Sequence, residues 1–150
     1  MKPIVALGAS GVTAPKREGD TSTPTGCFAI REVLYRRHRE EAPDTTMPVA
    51  PLGPSSAWCI DPTDEEYYQL VSLPYDGGSE SLWLEDGIYD IVVVLGYNDR
   101  PIIPGCGSAI FLHVADDDYG ATKGGISLSR DDLLRLLKSC KADTRICIVG

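Results

Sequence analysis

Histidine is scarce in this chain. There are two, His38 and His113, and they lack the spacing of zinc ligands, so a metal hydrolase is a poor reading. No pair of cysteines has CxxC spacing, which removes the zinc knuckle. Basic residues are outnumbered, 14 Lys and Arg against 22 Asp and Glu. The net charge of -8 opposes binding to nucleic acid or to an anionic membrane surface. No apolar run approaches the roughly 18 residues a bilayer span requires. There are no internal repeats and no linker. The opening "MKPIVALGAS" has a short apolar run broken by Pro3 and no convincing cleavage site. It reads as a first strand, which puts the mature chain in the cytoplasm, or in the periplasm or cell wall if an export signal has been removed. Cys27, Cys59, Cys106, Cys140 and Cys147 are odd in number and read as free thiols in a reducing compartment.

What is there suits one domain over residues 1–150, with a real core. "CFAIREVLY" predicts a strand. In "LEDGIYDIVVVLGYN" a turn at Asp86-Gly87 leads into Ile91–Leu95, where both faces are apolar, so a central, doubly covered strand is expected. "SAIFLHVA" predicts another strand and "RICIVG" a closing one. "RRHREEAPDTTMPVAPLGP" is rich in proline and reads as a surface excursion. "SRDDLLRLLKSC" is the one convincing helix, with Ser129 as N-cap, Asp131 and Asp132 in the first turn, and a leucine stripe facing inward. The fold class is mostly β, with one late helix.

Chemistry concentrates in "HVADDDYGATKGGISLS", residues 113–129. His113 ends an apolar strand, with Ala109 and Phe111 on the same face. Such a histidine is either a satisfied core residue or a base. The three aspartates after it lack the spaced ligands and closing Glu of a calcium loop and read as solvated. Gly124 and Gly125 form either a tight turn before the helix cap or a place where a ligand approaches backbone N–H donors, as in an oxyanion hole. Lys16 and Arg17, in "KREGDTSTPTG", are donors suited to carboxylates, and Glu18 and Asp20 are acceptors suited to an amine. The same loop reads equally as a solvated surface. Tyr97 and Asn98 either shape a pocket or terminate the central strand.

With these segments in hand, the chain resembles the L,D-transpeptidase catalytic domain, or YkuD domain, and within it a short, stand-alone bacterial branch. The resemblance runs through "KREGDTSTPTGCFAI", "WCIDP", "YDIVVVLGYND", "PGCGSAIFLHVA" and "YGATKGGISLSRDDLLRLL" in the family's order. It implies a β-sandwich-like fold and a cysteine nucleophile that attacks peptidoglycan stem peptides at an L,D peptide bond. The acyl group then passes to an amine or to water, with no cofactor and no metal. Carbapenems would acylate that thiol. Carried over by position, His113 matches the general base, Thr122 the Ser/Thr of the nucleophile motif, and Gly124 the glycine before the cysteine. Gly125 falls where the cysteine itself is expected. Lys123 also departs from the pattern.

A glycine cannot form an acyl intermediate, so covalent catalysis from position 125 is excluded. Substitution at Gly125 should cost little stability unless its φ is positive. Among the other cysteines Cys59 leads as a substitute nucleophile, because Cys106 should lie about 23 Å from His113 at the far end of the strand. The expected function is a member of this family, impaired as written, whose partner is a stem peptide or muropeptide fragment. The alternative is a non-catalytic peptide-binding or interaction module that keeps the fold.

Overall fold

The computed structural model describes residues 5–8, 11–13, 22–107, 110–120, 122 and 124–149. At its centre is β9 (Ile91–Leu95), with all five residues buried. Four β-branched side chains followed by a leucine suit a pleated strand covered on both faces. One edge of β9 pairs antiparallel with β4 (Gly26–Tyr35), the other with β10 (Phe111–Val114). Beyond β10 lie β11 (Ile126–Leu128), parallel to it, and then β1 (Val5–Ala6), antiparallel to β11. The far edge of β4 is shared between β12 (Arg145–Ile148) and β5 (Val49–Pro51). The result is a seven-stranded mixed sheet in the order β1-β11-β10-β9-β4-β12, with β5 also on β4.

Strand alternation sends the two faces of this sheet to different cores. Ile91, Val93, Leu95, Leu112, Val114, Ile126 and Leu128 meet Leu133 and Leu137 of the helix α1 (Arg130–Ser139). The helix starts as its sequence predicts: Ser129 accepts a hydrogen bond from the Asp132 N–H, and Asp131 and Asp132 occupy the first turn. Asp90, buried just ahead of β9, accepts from Arg39 at 3.1 Å and from Arg130 at 3.2 Å, so the helix start is tied to the central strand. On the opposite face, Leu34, Val92, Val94 and Phe111 meet Trp58, Tyr67, Tyr68, Leu82 and Tyr89.

The cover on that second face comes largely from a small antiparallel sheet that the sequence did not announce. It comprises β6 (Ser56–Cys59), β7 (Leu70–Ser72) and β8 (Ser79–Ser81), in the order β7-β6-β8. "LVS" and "SES" are too short and too polar to signal strands, and their order comes from pairing with β6. The strands expected in "CFAIREVLY", "IVVVL" and "SAIFLHVA" appear as β4, β9 and β10, with residues 108–109 outside the described residues; the late helix and the closing strand are present, and "RRHREE" forms turns rather than a helix. A further parallel pair, β2 (Val12–Thr13) and β3 (Thr23–Pro24), brackets residues 14–21, where Lys16 and Arg17 lie outside the described residues.

The reading of all five cysteines as free thiols is corrected. Cys27 and Cys147 are direct partners across β4 and β12 and form a disulfide, while Cys59, Cys106 and Cys140 are free. The two residues are 120 positions apart, and nothing in the cysteine spacing reveals a shared register. A crosslink closing so long a loop restricts the unfolded chain strongly. Replacing both with alanine, or reducing the bond, should lower stability by about 2–4 kcal/mol. Urea unfolding with and without reductant measures this, and coincident curves would show that the crosslink carries no stability.

Candidate active site

His113 sits on β10 with Val92 of β9 and Ser127 of β11 as direct partners. Alternation puts its side chain on the same face as Phe111, against the aromatic core rather than the helix. It is only 7% exposed. Its Nδ1 lies 3.1 Å from the Val114 carbonyl oxygen. A carbonyl can only accept, so this contact assigns the proton of the neutral ring to Nδ1 and leaves Nε2 bare. Burial lowers the imidazole pKa from its usual value; the Val114 contact and the charges of Asp86 and Asp116 oppose this less strongly. A neutral imidazole with an open Nε2 lone pair is the state a general base requires.

Position 125 stands beside the Cδ2–Nε2 edge of that ring. A Cβ placed on Gly125 would lie 3.5 Å from His113 Nε2 and 3.4 Å from Cδ2. A side chain here would therefore meet the imidazole. The same Cβ would come within 2.7 Å of the Phe111 carbonyl oxygen. This corrects the expectation of a cheap substitution. The φ of Gly125 is not in the left-handed region, yet a neighbouring backbone oxygen occupies the space a side chain would need.

The turn leading to Gly125 is held from within and from the chain's N-terminal part. Thr122 donates through Oγ1 to the Gly125 carbonyl at 2.6 Å and accepts there from the Gly124 N–H at 3.2 Å. Gly124 has φ 135°, a conformation that favours glycine. Its N–H is thus engaged in the turn and is not an open oxyanion donor. The Thr122 hydroxyl is likewise committed to the turn. The Thr122 N–H donates to the Leu7 carbonyl at 2.9 Å, and Gly8 bridges to Thr122 and donates to Thr23 Oγ1 at 2.8 Å. The aspartate loop before the turn is exposed at Asp116, Asp117 and Asp118, and Asp116 closes it by accepting from the Gly120 N–H at 2.7 Å.

Other expected site residues are placed elsewhere. Val92 faces His113, and Tyr97 lies five residues further along, roughly 16 Å at the rise of a strand. Tyr97 donates to the Cys106 carbonyl and packs edge-on against Phe28, 5.6 Å between ring centroids. Asn98 bonds Ile103 through both its carbonyl and its amide, and also reaches the Gly107 carbonyl. Both residues tie the loop after β9 together. Cys106 belongs to that loop, away from His113. On β6 it is Trp58 that faces Phe111, with ring centroids 5.3 Å apart, while Cys59 points to the other side, toward Tyr75. The residue missed from sequence is Tyr89, whose ring lies 5.3 Å from the His113 imidazole and whose hydroxyl donates to Glu80 at 2.7 Å. Its place before β9 carried no signal of that contact.

Two outcomes follow for stability. Gly125→Ala should cost about 1–3 kcal/mol, because the Phe111 backbone must yield to the new methyl; a urea midpoint equal to the parent's would mean the turn shifts freely. His113 has a folded-state pKa below the unfolded value of about 6.5. Its protonation therefore favours the unfolded chain, and the loss of stability begins as pH falls through the unfolded pKa and continues toward the folded one. In His113→Gln that part of the acid decline should vanish. Parallel stability curves for parent and variant between about pH 5 and 7.5 would contradict the buried neutral imidazole.

Among known proteins, comparison with curated sequences and with solved structures gives no match. The family model described as the L,D-transpeptidase catalytic domain, YkuD, matches residues 1–148. That span takes in His113, the turn that leads to Gly125 and the sheet that carries them, and the mostly β fold with one helix agrees with it. The chain belongs to the L,D-transpeptidase catalytic domain (YkuD) family.

Proposed function

We propose that this chain recognises peptidoglycan stem peptides or muropeptide fragments and does not perform the covalent acyl transfer associated with its family. One observation carries the reading: Gly125 offers no side chain at a position whose Cβ would stand 3.5 Å from His113 Nε2. Acyl transfer of this kind needs a thiolate activated by an adjacent imidazole. Here the base remains and the bond-forming atom is missing. Water activated by His113 would give residual hydrolysis at best, since loss of a nucleophile leaves only what binding and polar stabilisation supply. On this reading the chain is a degenerate member or an inactivated variant of an active enzyme, because a single nucleotide change separates Cys from Gly.

Lys16 and Arg17 are proposed to hold the carboxylates of the peptide. In support, the strands flanking residues 14–21 are tied through Gly8 and Thr23 to the Thr122 turn. The chain is further proposed to mature outside the cytoplasm. The Cys27–Cys147 disulfide supports an oxidising compartment, against the cytoplasmic reading of the N-terminal sequence. No helix among the described residues is long and apolar enough to cross a membrane. The close approach of the Phe111 carbonyl to position 125 favours a second reading, an interaction module that keeps the fold while its reaction centre has closed.

Two measurements test the proposal. A carbapenem should leave no stable adduct in the intact mass; a stoichiometric adduct mapping to Cys59 would overturn the loss of covalent chemistry. A tetrapeptide stem fragment titrated by NMR should shift residues 111–114 and 122–126, and Lys16→Ala with Arg17→Ala should weaken binding. Shifts confined to residues remote from His113 would favour the interaction module.

A further inference from the structure

We propose that Tyr89, strapped through its hydroxyl to Glu80, is the positioning residue for the His113 imidazole, so that the small sheet β7-β6-β8 sets the orientation of the base. This rests on the reading of His113 as the base of the site. The need for such a residue follows from the ring's own attachments. Its one hydrogen bond among the described residues runs to the carbonyl of the next residue, Val114. The terminal torsion of a histidine is broad and nearly two-fold, and a flip would exchange Nε2 with Cε1 and Cδ2 with Nδ1, so the bare nitrogen would leave the edge that faces position 125. The Val114 hydrogen bond opposes a flip, and the packing of Tyr89 adds to that hold.

Tyr89 stands edge-on to the imidazole, with an interplanar angle of 80°, and edge-on to Phe111, 6.0 Å between centroids. It therefore spans the two side chains that β10 presents on the site face. The strap is independent of this contact. Tyr89 donates at 2.7 Å to Glu80 on β8, and burial together with the Glu80 carboxylate holds the phenol above its usual pKa, so it remains a donor. Glu80 is the direct partner of Trp58, which packs against Phe111. The Val114 N–H donates to the Ile88 carbonyl at 3.0 Å, pinning the backbone beside Tyr89 to the strand end. The ionisable groups facing His113 are Tyr89 itself, Asp86 and Asp116, with Glu80 acting through Tyr89.

The test reads the ring directly and needs no substrate, so failure of stem-peptide binding leaves it intact. With two histidines in the chain, His38→Gln leaves a single imidazole. Long-range proton–nitrogen NMR correlations across pH then report its tautomer and pKa. The parent should hold the proton on Nδ1 with a depressed pKa. Tyr89→Leu should mix the tautomers and move the pKa up toward about 6.5. Tyr89→Phe and Glu80→Ala keep the ring but break the strap, and both should shift the same way by a smaller amount. Glu80→Gln retains an acceptor and should restore the parent spectrum. A purely structural role would lower the melting temperature of these variants without moving tautomer or pKa, and that result overturns the proposal. If Tyr89→Leu fails to fold, unchanged spectra in both Tyr89→Phe and Glu80→Ala overturn it equally. A shift in Tyr89→Leu alone would refute the strap to β8.

Discussion

β9 meets water on neither face, so its backbone groups must find their hydrogen bonds within the sheet. That requirement makes β4 and β10 obligatory neighbours and fixes their register against it. His113 inherits its position from this constraint. It sits opposite Val92, and a slip of one residue would turn it from the aromatic core toward the helix. The placement of His113 is thus a property of the hydrophobic core, set by a strand that the fold cannot do without.

The other half of the site is backbone. Position 125 is reached by a turn that Thr122 closes from inside and that Leu7 and Gly8 hold from outside. The turn thus keeps its form without a side chain at 125. The neighbouring Phe111 carbonyl comes closer than a side chain there would tolerate. A buried imidazole and a hydrogen-bonded turn therefore stand side by side, with no side chain between them at position 125. The geometry of position 125 is therefore as informative as its identity.

Much of this was legible in the residues. "IVVVL" declared a strand with two covered faces, "FLHV" put His113 at a strand end, and Ser129 with the following aspartates and leucines announced the helix. These signals are local, set by periodicity and capping. What was hidden depended on register between distant segments. The Cys27–Cys147 bond needs β12 aligned on β4. The strands β7 and β8 exist because β6 offers them edges, and their own three residues say little. Tyr89 meets His113 through a chain reversal that no spacing rule describes. Tyr97 and Asn98 were ambiguous because strand-ending residues and pocket-lining residues share the same chemistry.

The two edges of the large sheet described above have a consequence for how the chain acquires its fold. Val5 pairs with Leu128 at one edge, and Cys27 pairs with Cys147 at the other. Each pairing joins segments separated by most of the sequence, so loop closure over long distances must precede them, and topologies of this kind fold slowly. During synthesis β1 waits unpaired until β11 has emerged, and the Gly26–Ala29 part of β4 keeps an open edge until β12 is made. The turn before position 125 takes its outer hold from that segment, so it too is completed only when two distant parts of the sequence have met.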